Sequence, residues 1–112
     1  MDQIPQLFET APPEKNLYFH RETVYYSIEG RKMEMMTISS RDGLTDEHEK
    51  VPDDFDAHGL FPDSIGNPEA RPLLFDLGKK VIVFTSRVHP GETPGSLVLN
   101  GCLDLITDLK SE

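Results

Sequence analysis

In the final third of the chain, an apolar run, a turn segment and an amphipathic helix follow one another, and few folds are compatible with this order. Residues 81–86, VIVFTS, form a short apolar run that is typical of a strand buried on both faces of an α/β sheet. The segment RVHPGE follows, and Thr93 and Pro94 then supply an N-cap and a favoured first helical residue. An amphipathic helix over about Gly95–Leu109 is predicted from apolar residues at helical spacing: Val98, Leu99, Cys102, Leu103, Ile106 and Leu109. This order predicts an α/β fold in which the turn leaves the carboxyl end of a buried central strand, where ligands bind in open α/β sheets.

An antiparallel strand pair is predicted in the first half of the chain. Residues 17–28 are rich in aromatic and β-branched side chains, and Glu29-Gly30 is a turn signal. We expect strands at about Glu22–Ile28 and Lys32–Ser39. Alternation places three residues of each strand on one face, Val24, Tyr26 and Ile28 on the first and Met33, Met35 and Thr37 on the second. The methionines are expected to fill the core.

The remaining segments predict irregular structure. Residues 42–63 carry eight acidic residues and one basic residue, Lys50, without the spacing of an EF-hand calcium loop, and indicate a solvated acidic loop. Residues 64–78 continue as an irregular connection in which Leu73, Leu74 and Phe75 pack down. Residues 1–16, with three prolines, indicate a tail or the end of a preceding element.

Composition limits the classes of function. The 112 residues carry a net charge of −9, which argues against a nucleic-acid-binding surface because such a surface needs a basic patch. No apolar run approaches the roughly 20 residues of a membrane-spanning helix, and the N-terminus lacks the apolar region of a secretory signal. A single cysteine, Cys102, fits a reducing compartment. The composition therefore allows a small cytosolic domain.

His89 and Glu92 are the candidate metal ligands. They lie three residues apart in the turn after the predicted strand, and imidazole and carboxylate are both zinc ligands. Pro90 and Gly91 give the turn a fixed φ and then the freedom for a sharp reversal. The pair alone is a weak signal, since Glu92 could instead interact with the positive end of the helix dipole.

The segment FTSRVHPGETPGSLVLNGCLDLI closely resembles the zinc-site segment of the cytosolic carboxypeptidases, carboxypeptidase A-like enzymes that remove glutamates from tubulin tails. Residues 18–40 resemble the first strands of that family's catalytic domain. Pro94 and the LFPDS string at Leu60–Ser64 resemble the branch associated with removing branch-point glutamates. The resemblance therefore implies that residues 17–112 are the N-terminal part of a zinc carboxypeptidase domain with a partial carboxypeptidase-like mixed sheet.

The resemblance implies that His89 and Glu92 are the first two Zn²⁺ ligands. Arg87 either structures the turn, forms a buried ion pair or approaches a substrate carboxylate. The family's second ligand histidine, its general base and its Asn-Arg substrate grip are expected beyond Glu112, so no catalytic residue is assigned within this chain. His20, His48 and His58 match no ligand position of the family, although His48 or His58 could reach the metal from a flexible loop.

Two functional hypotheses follow for the chain. The first is a zinc metallocarboxypeptidase that hydrolyses C-terminal or branch-point glutamates of a polyglutamylated partner such as tubulin, in the cytosol or on microtubules. The 112-residue chain alone is then not expected to be self-sufficient. The alternative is a truncated, non-catalytic product that acts through protein interaction, since its sheet would have unpaired edges. A deacylase of the same zinc superfamily is less consistent with the S-R-V-H-P-G-E-T string.

Overall fold

A computed structural model describes residues 16–51, 59–76 and 78–106. In these residues the fold is a small mixed structure of two antiparallel strand pairs and one C-terminal α-helix. Asn16–Lys79 form one compact unit, and the described residues from Lys80 onward belong to a second. The predicted tail at residues 1–16 lies outside the described residues, apart from Asn16.

The predicted strand pair is present. β1 spans Leu17–Tyr26 and β2 spans Lys32–Ser40, and they pair antiparallel from Leu17 opposite Ser40 to Tyr26 opposite Lys32. The turn between them is closed by the Arg31 carbonyl, which accepts a hydrogen bond from the Ser27 N–H at 2.8 Å. Gly30 has a φ of 75°, a left-handed conformation that glycine adopts without steric cost. Local turn chemistry and strand propensity therefore predicted this hairpin correctly.

A β-bulge in β1 changes which side chains are buried. The register shifts between Thr23 and Tyr25, so Val24 is the extra residue. The Val24 carbonyl accepts a hydrogen bond from the Phe61 N–H, and the Thr23 N–H donates to the Asp63 carboxylate, both at 2.8 Å. Residues 61 and 63 thus form hydrogen bonds with the backbone N–H and C=O groups at the bulge.

The expected face of the first strand and the expected burial of the methionines were wrong. Ile28 lies in the turn and is exposed, and Tyr26 is also exposed. Met33 and Met35 are 55% and 37% exposed, so these methionines do not fill a core in the described structure. In β1 the bulge breaks the simple alternation on which the prediction of the face relied, because one extra residue reverses the side-chain parity beyond it.

Part of the predicted acidic loop is a strand. β3 spans Leu44–His48 and pairs antiparallel with β4, Leu73–Phe75, which belongs to the stretch predicted as an irregular connection. Leu73, Leu74 and Phe75 are half-buried, as expected for residues that pack down. Between these strands lie two short 3-10 helices, Pro62–Ser64 and Pro68–Ala70. Residues 52–58 of the predicted loop lie outside the described residues.

The interior of the first unit is polar as well as apolar. Arg71 Nη1 donates to both carboxylate oxygens of Glu22 at 2.7 Å, and the two side chains are 6% and 2% exposed. Arg71 Nη2 also reaches the half-buried Glu49 at 3.0 Å, and the guanidinium lies 3.7 Å from the centre of the Phe61 ring. This ion pair holds the 3-10 segment against β1.

A tyrosine joins the same interior to β4. The Tyr18 hydroxyl accepts a hydrogen bond from the Leu73 N–H at 2.9 Å, and its ring meets Phe75 edge-on at 5.8 Å between centroids. Burial raises the pKa of the Tyr18 phenol, since the charged form would lose hydration. β1 and β4 therefore share one interior although they belong to different sheets.

The predicted buried central strand at residues 81–86 is not a strand in this structure. Val81, Ile82, Val83 and Phe84 are between 65% and 79% exposed. Residues 81–86 take part in none of the backbone hydrogen bonds that the described turns and loops form. A β-strand needs a neighbour for its ladder, and the described residues from Lys80 onward contain no other strand, so this apolar run has no ladder within its own unit.

The predicted helix is present with shifted bounds. α1 spans Thr93–Ile106, two residues earlier at its start than predicted, and residues 107–109 lie outside the described part of the chain. Thr93 is itself the first helical residue rather than the N-cap, within the usual variation of helix bounds. Leu103 is the one buried residue among those described in α1, whereas Val98 and Ile106 are 68% and 50% exposed.

Replacing Asp63 by Asn is expected to destabilise the first unit in a pH-dependent way. The Thr23 N–H bond lowers the pKa of the Asp63 carboxyl below its ordinary value of 3.8. Because the folded pKa is lowered, the stabilisation is present above about pH 3.8 and is lost as the pH falls through the folded pKa. At pH 7 the loss should be about 1 kcal/mol, since Asp63 is exposed.

Hydrogen exchange of the β1 amides, followed from pH 7 to pH 3, measures this difference between wild type and Asp63→Asn. The exposed Asp46→Asn serves as the matched control. A difference that grows as the pH falls would contradict the assignment of the stabilisation to the ionised carboxylate.

Candidate metal centre

The turn that precedes α1 is held by hydrogen bonds within itself. Arg87 adopts a φ of 57°, in the left-handed region that non-glycine residues rarely occupy. Its guanidinium folds back over the turn, and Nε and Nη2 each donate to the Pro90 carbonyl at 3.1 Å. The chain then enters α1 through a hydrogen bond from the Gly95 N–H to the Glu92 carbonyl at 3.1 Å.

His89 and Glu92 are joined across the same turn. The His89 N–H donates to the Glu92 carboxylate at 3.2 Å, and the Glu92 N–H donates to the His89 carbonyl at 3.1 Å. Both residues are exposed. The two candidate ligands therefore lie on one closed turn at the start of a helix, although no strand precedes them in the described structure.

The donor chemistry of these two residues fits zinc in part. Imidazole nitrogen and carboxylate oxygen are both zinc donors, but catalytic zinc usually takes three protein ligands. In the described ranges, no group of three or more His, Cys, Asp or Glu side chains is placed to hold a metal ion. The pair can supply two donors, and a complete site needs at least one more.

The other described histidines are engaged elsewhere. His20 Nε2 lies 2.8 Å from the Ala70 carbonyl, and His48 Nδ1 lies 2.6 Å from the Arg71 carbonyl. A carbonyl oxygen only accepts, so each of these ring nitrogens carries a proton. His48 lies in β3 and not in a loop, and His58 lies outside the described residues.

Arg87 differs from one of the expectations for it. It is exposed, and its described partner is the Pro90 carbonyl, so the structure does not show the buried ion pair that the sequence left open. Support of the turn agrees with these hydrogen bonds. Contact with a substrate carboxylate stays a prediction.

Two residues near the turn escaped the sequence analysis. Ser86 Oγ is buried and has no hydrogen-bond partner among the described residues. A Cβ added to Gly95 would lie 3.3 Å from this oxygen, so glycine allows the helix to approach Ser86 closely. A glycine in the first turn of a helix, where its propensity is poor, is the signal that could have indicated the approach.

An open pocket of about 340 Å³ lies between the segment after Val83 and α1. Arg87 and Glu92 contribute its charged groups, and Cys102 lies on its helical side. Most of the remaining lining is apolar, including Phe84, Val98 and Leu99. One side of the candidate metal turn thus borders an apolar pocket.

Comparison with known proteins identifies the family. No family model matches the chain. Individual proteins do: cytosolic carboxypeptidases are 32–45% identical to it over 80–95% of this chain. The chain therefore belongs to the cytosolic carboxypeptidase family.

Within that family the chain is homologous to cytosolic carboxypeptidase-like protein 5. It is 45% identical to the protein of Mus musculus and 40% identical to that of Homo sapiens, each over 111 residues and 95% of this chain. Cytosolic carboxypeptidase 6 of Homo sapiens is 32% identical over 89 residues. The chain spans about 12% of the length of these relatives.

The homologues are named cytosolic. Among the helices in the described residues, none has the length and apolar character needed to cross a membrane.

Proposed function

We propose that this chain supplies the first two zinc ligands, His89 and Glu92, of a metallocarboxypeptidase. The proposed enzyme hydrolyses C-terminal or branch-point glutamates of polyglutamylated proteins such as tubulin, in the cytosol or on microtubules. The observation that carries the proposal is the hydrogen-bonded His89–Glu92 turn at the start of α1, in a chain homologous to carboxypeptidases. An alignment that covers 95% of the chain necessarily includes this turn.

The chain's own residues have distinct parts in this proposal. His89 and Glu92 present a nitrogen and an oxygen donor from one turn, and the Glu92 carboxylate also fixes the His89 backbone. Bound zinc would polarise the scissile carbonyl and lower the pKa of a water molecule. The third ligand and the general base would come from sequence that corresponds to the rest of the relatives' length.

The domain assignment belongs to the same proposal. Residues 17–112 would form the N-terminal part of the catalytic domain, and the hairpin β1–β2 would be one part of a carboxypeptidase-like mixed sheet. Residues 81–86 would join that sheet as a strand when neighbouring strands are present. Their exposed apolar side chains support this, since a paired and covered strand would remove them from water.

A second candidate applies to the 112-residue chain by itself. The exposed run Val81–Phe84 favours association with another protein or with a second copy of the chain, because an unpaired apolar segment is a template for pairing. In this case the chain would act without catalysis. Release of glutamate by the purified 112-residue chain would refute this candidate.

The catalytic proposal is tested with the full-length protein and synthetic polyglutamylated peptides. Linear and branched glutamate chains are offered separately, and released glutamate is quantified. We expect release to stop when the metal is removed by a chelator and to return when Zn²⁺ is added. Release that persists at the same rate in the metal-free protein would contradict a zinc carboxypeptidase.

A further inference from the structure

We infer that Arg87 is a positioning residue for the metal-binding turn, and that its guanidinium acts through the Pro90 carbonyl rather than on the substrate. This inference rests on the proposed function, because it concerns the turn that carries His89 and Glu92. Arg87 forms hydrogen bonds with the backbone of the turn, and we infer that it affects metal binding through this backbone.

The hydrogen bonds of residues 87–92 form two overlapping closures. The first joins the Arg87 guanidinium to the Pro90 carbonyl and encloses His89. The second joins His89 to Glu92 through two hydrogen bonds. His89 is common to both, so loss of the first closure would free the backbone on one side of a ligand while leaving the second closure intact.

The backbone at Arg87 supports the same role. A φ of 57° is disfavoured for a residue with a Cβ, and such conformations persist where surrounding interactions hold them. Here the same residue adopts the unusual φ and makes the two side-chain bonds. The left-handed backbone and the folded-back guanidinium together bring the Arg87 side chain over the Pro90 carbonyl.

A direct substrate contact fits these bonds less well. Arginine grips a carboxylate with two parallel N–H groups, and Nε and Nη2 form one such edge. In this structure that edge is occupied by the Pro90 carbonyl. To bind a substrate carboxylate, Arg87 would have to release the Pro90 carbonyl or use the other edge of its guanidinium.

Two substitutions distinguish the effect of the guanidinium hydrogen bonds from the effects of the positive charge and of the positive φ. Arg87→Gly removes the guanidinium but tolerates the positive φ, so backbone strain is not added. Arg87→Lys keeps the positive charge but lacks the planar fork. Arg31→Lys is the matched control, because Arg31 lies in an exposed ion pair with Glu29.

The measurements are made on the full-length protein. Zn²⁺ affinity is determined by chelator competition, the Co²⁺-substituted protein gives an absorption spectrum, and kcat and KM are determined with a polyglutamylated peptide. We expect Arg87→Gly to weaken Zn²⁺ binding by about 10–100-fold, the range typical of outer-shell partners. Arg87→Lys should weaken it less, because an ammonium can still donate a hydrogen bond to one carbonyl oxygen. The Co²⁺ spectrum should change, and kcat should fall more than KM rises.

The outcomes distinguish this inference from the proposed function. If His89→Ala binds Zn²⁺ like the wild type, the proposed function fails. If His89→Ala loses zinc but Arg87→Gly retains wild-type affinity and spectrum, the positioning role alone is overturned. A raised KM with unchanged zinc affinity would show the substrate contact instead. Arg87→Met, which keeps an extended side chain but has no N–H donor, decides the question if Arg87→Gly fails to fold.

Discussion

Replacing Arg71 by Met is expected to lower the stability of the unit formed by residues 16–79 by about 3–5 kcal/mol. The reason is the carboxylate that remains. Glu22 is 2% exposed, and Arg71 Nη1 donates to both of its oxygens in the native structure. Without the guanidinium, Glu22 would keep a buried charge without its partner.

An exposed ion pair provides the control for this variant. Arg31 and Glu29 are 82% and 74% exposed and lie 3.1 Å apart, so Arg31→Met makes the same chemical change in solvent. The expected cost there is about 0–1 kcal/mol. Hydrogen exchange of the β1 and β4 amides reports the stability of the unit for both variants.

A double variant distinguishes the loss of the Glu22–Arg71 attraction from the cost of leaving the Glu22 charge buried without a partner. Glu22→Leu combined with Arg71→Met removes both charges and should recover most of the stability lost in Arg71→Met, since apolar pairs of similar volume often replace buried ion pairs without loss. If Arg71→Met cost no more than Arg31→Met, the buried pair would not stabilise the unit. If the double variant were no more stable than Arg71→Met, packing around Phe61 rather than the stranded charge would explain the loss.

This ion pair also shows why much of the first unit could not be predicted from sequence. Glu22 and Arg71 are 49 residues apart along the chain, and neither lies in a pattern that marks a buried charge. The β1–β2 hairpin was predictable, because its signals are local: strand propensity on both sides of a Glu-Gly turn. Its buried face was not, since one bulge at Val24 reverses the alternation.

Strands that depend on distant partners were predicted least well. β3, with the sequence LTDEH, reads as part of an acidic loop, and its pairing with β4 joins residues about a quarter of the chain apart. The opposite error occurred at residues 81–86, which have strong strand propensity but no other strand among the described residues of their own unit. Propensity and pairing are separate requirements, and a sequence displays only the first.

The candidate site followed a similar division. The spacing of His89 and Glu92 before a helix was readable, because it depends on a turn of six residues. The left-handed backbone of Arg87 was not, because no glycine or asparagine marks it. The hydrogen bonds to the Pro90 carbonyl depend on this conformation, so the role that we infer for Arg87 could not be predicted from the sequence.

The second large effect is expected at Glu92, where the sequence left two interpretations open. In the full-length protein, Glu92→Gln should weaken Zn²⁺ binding by more than the roughly 10–100-fold typical of outer-shell partners, since a ligand itself is changed. Glutamate release should fall accordingly. The Gln amide oxygen can still accept the His89 N–H bond, so the turn keeps its closure.

The alternative is that Glu92 only complements the positive end of the α1 dipole. In that case Glu92→Gln would cost about 0.3–1 kcal/mol of stability and leave zinc affinity unchanged. The exposed Glu69→Gln, in the 3-10 helix Pro68–Ala70 of the other unit, controls for the loss of one surface carboxylate. Chelator competition and thermal unfolding, measured on both variants, separate a ligand from a capping charge: lost zinc affinity identifies a ligand, and lost stability alone identifies a dipole interaction.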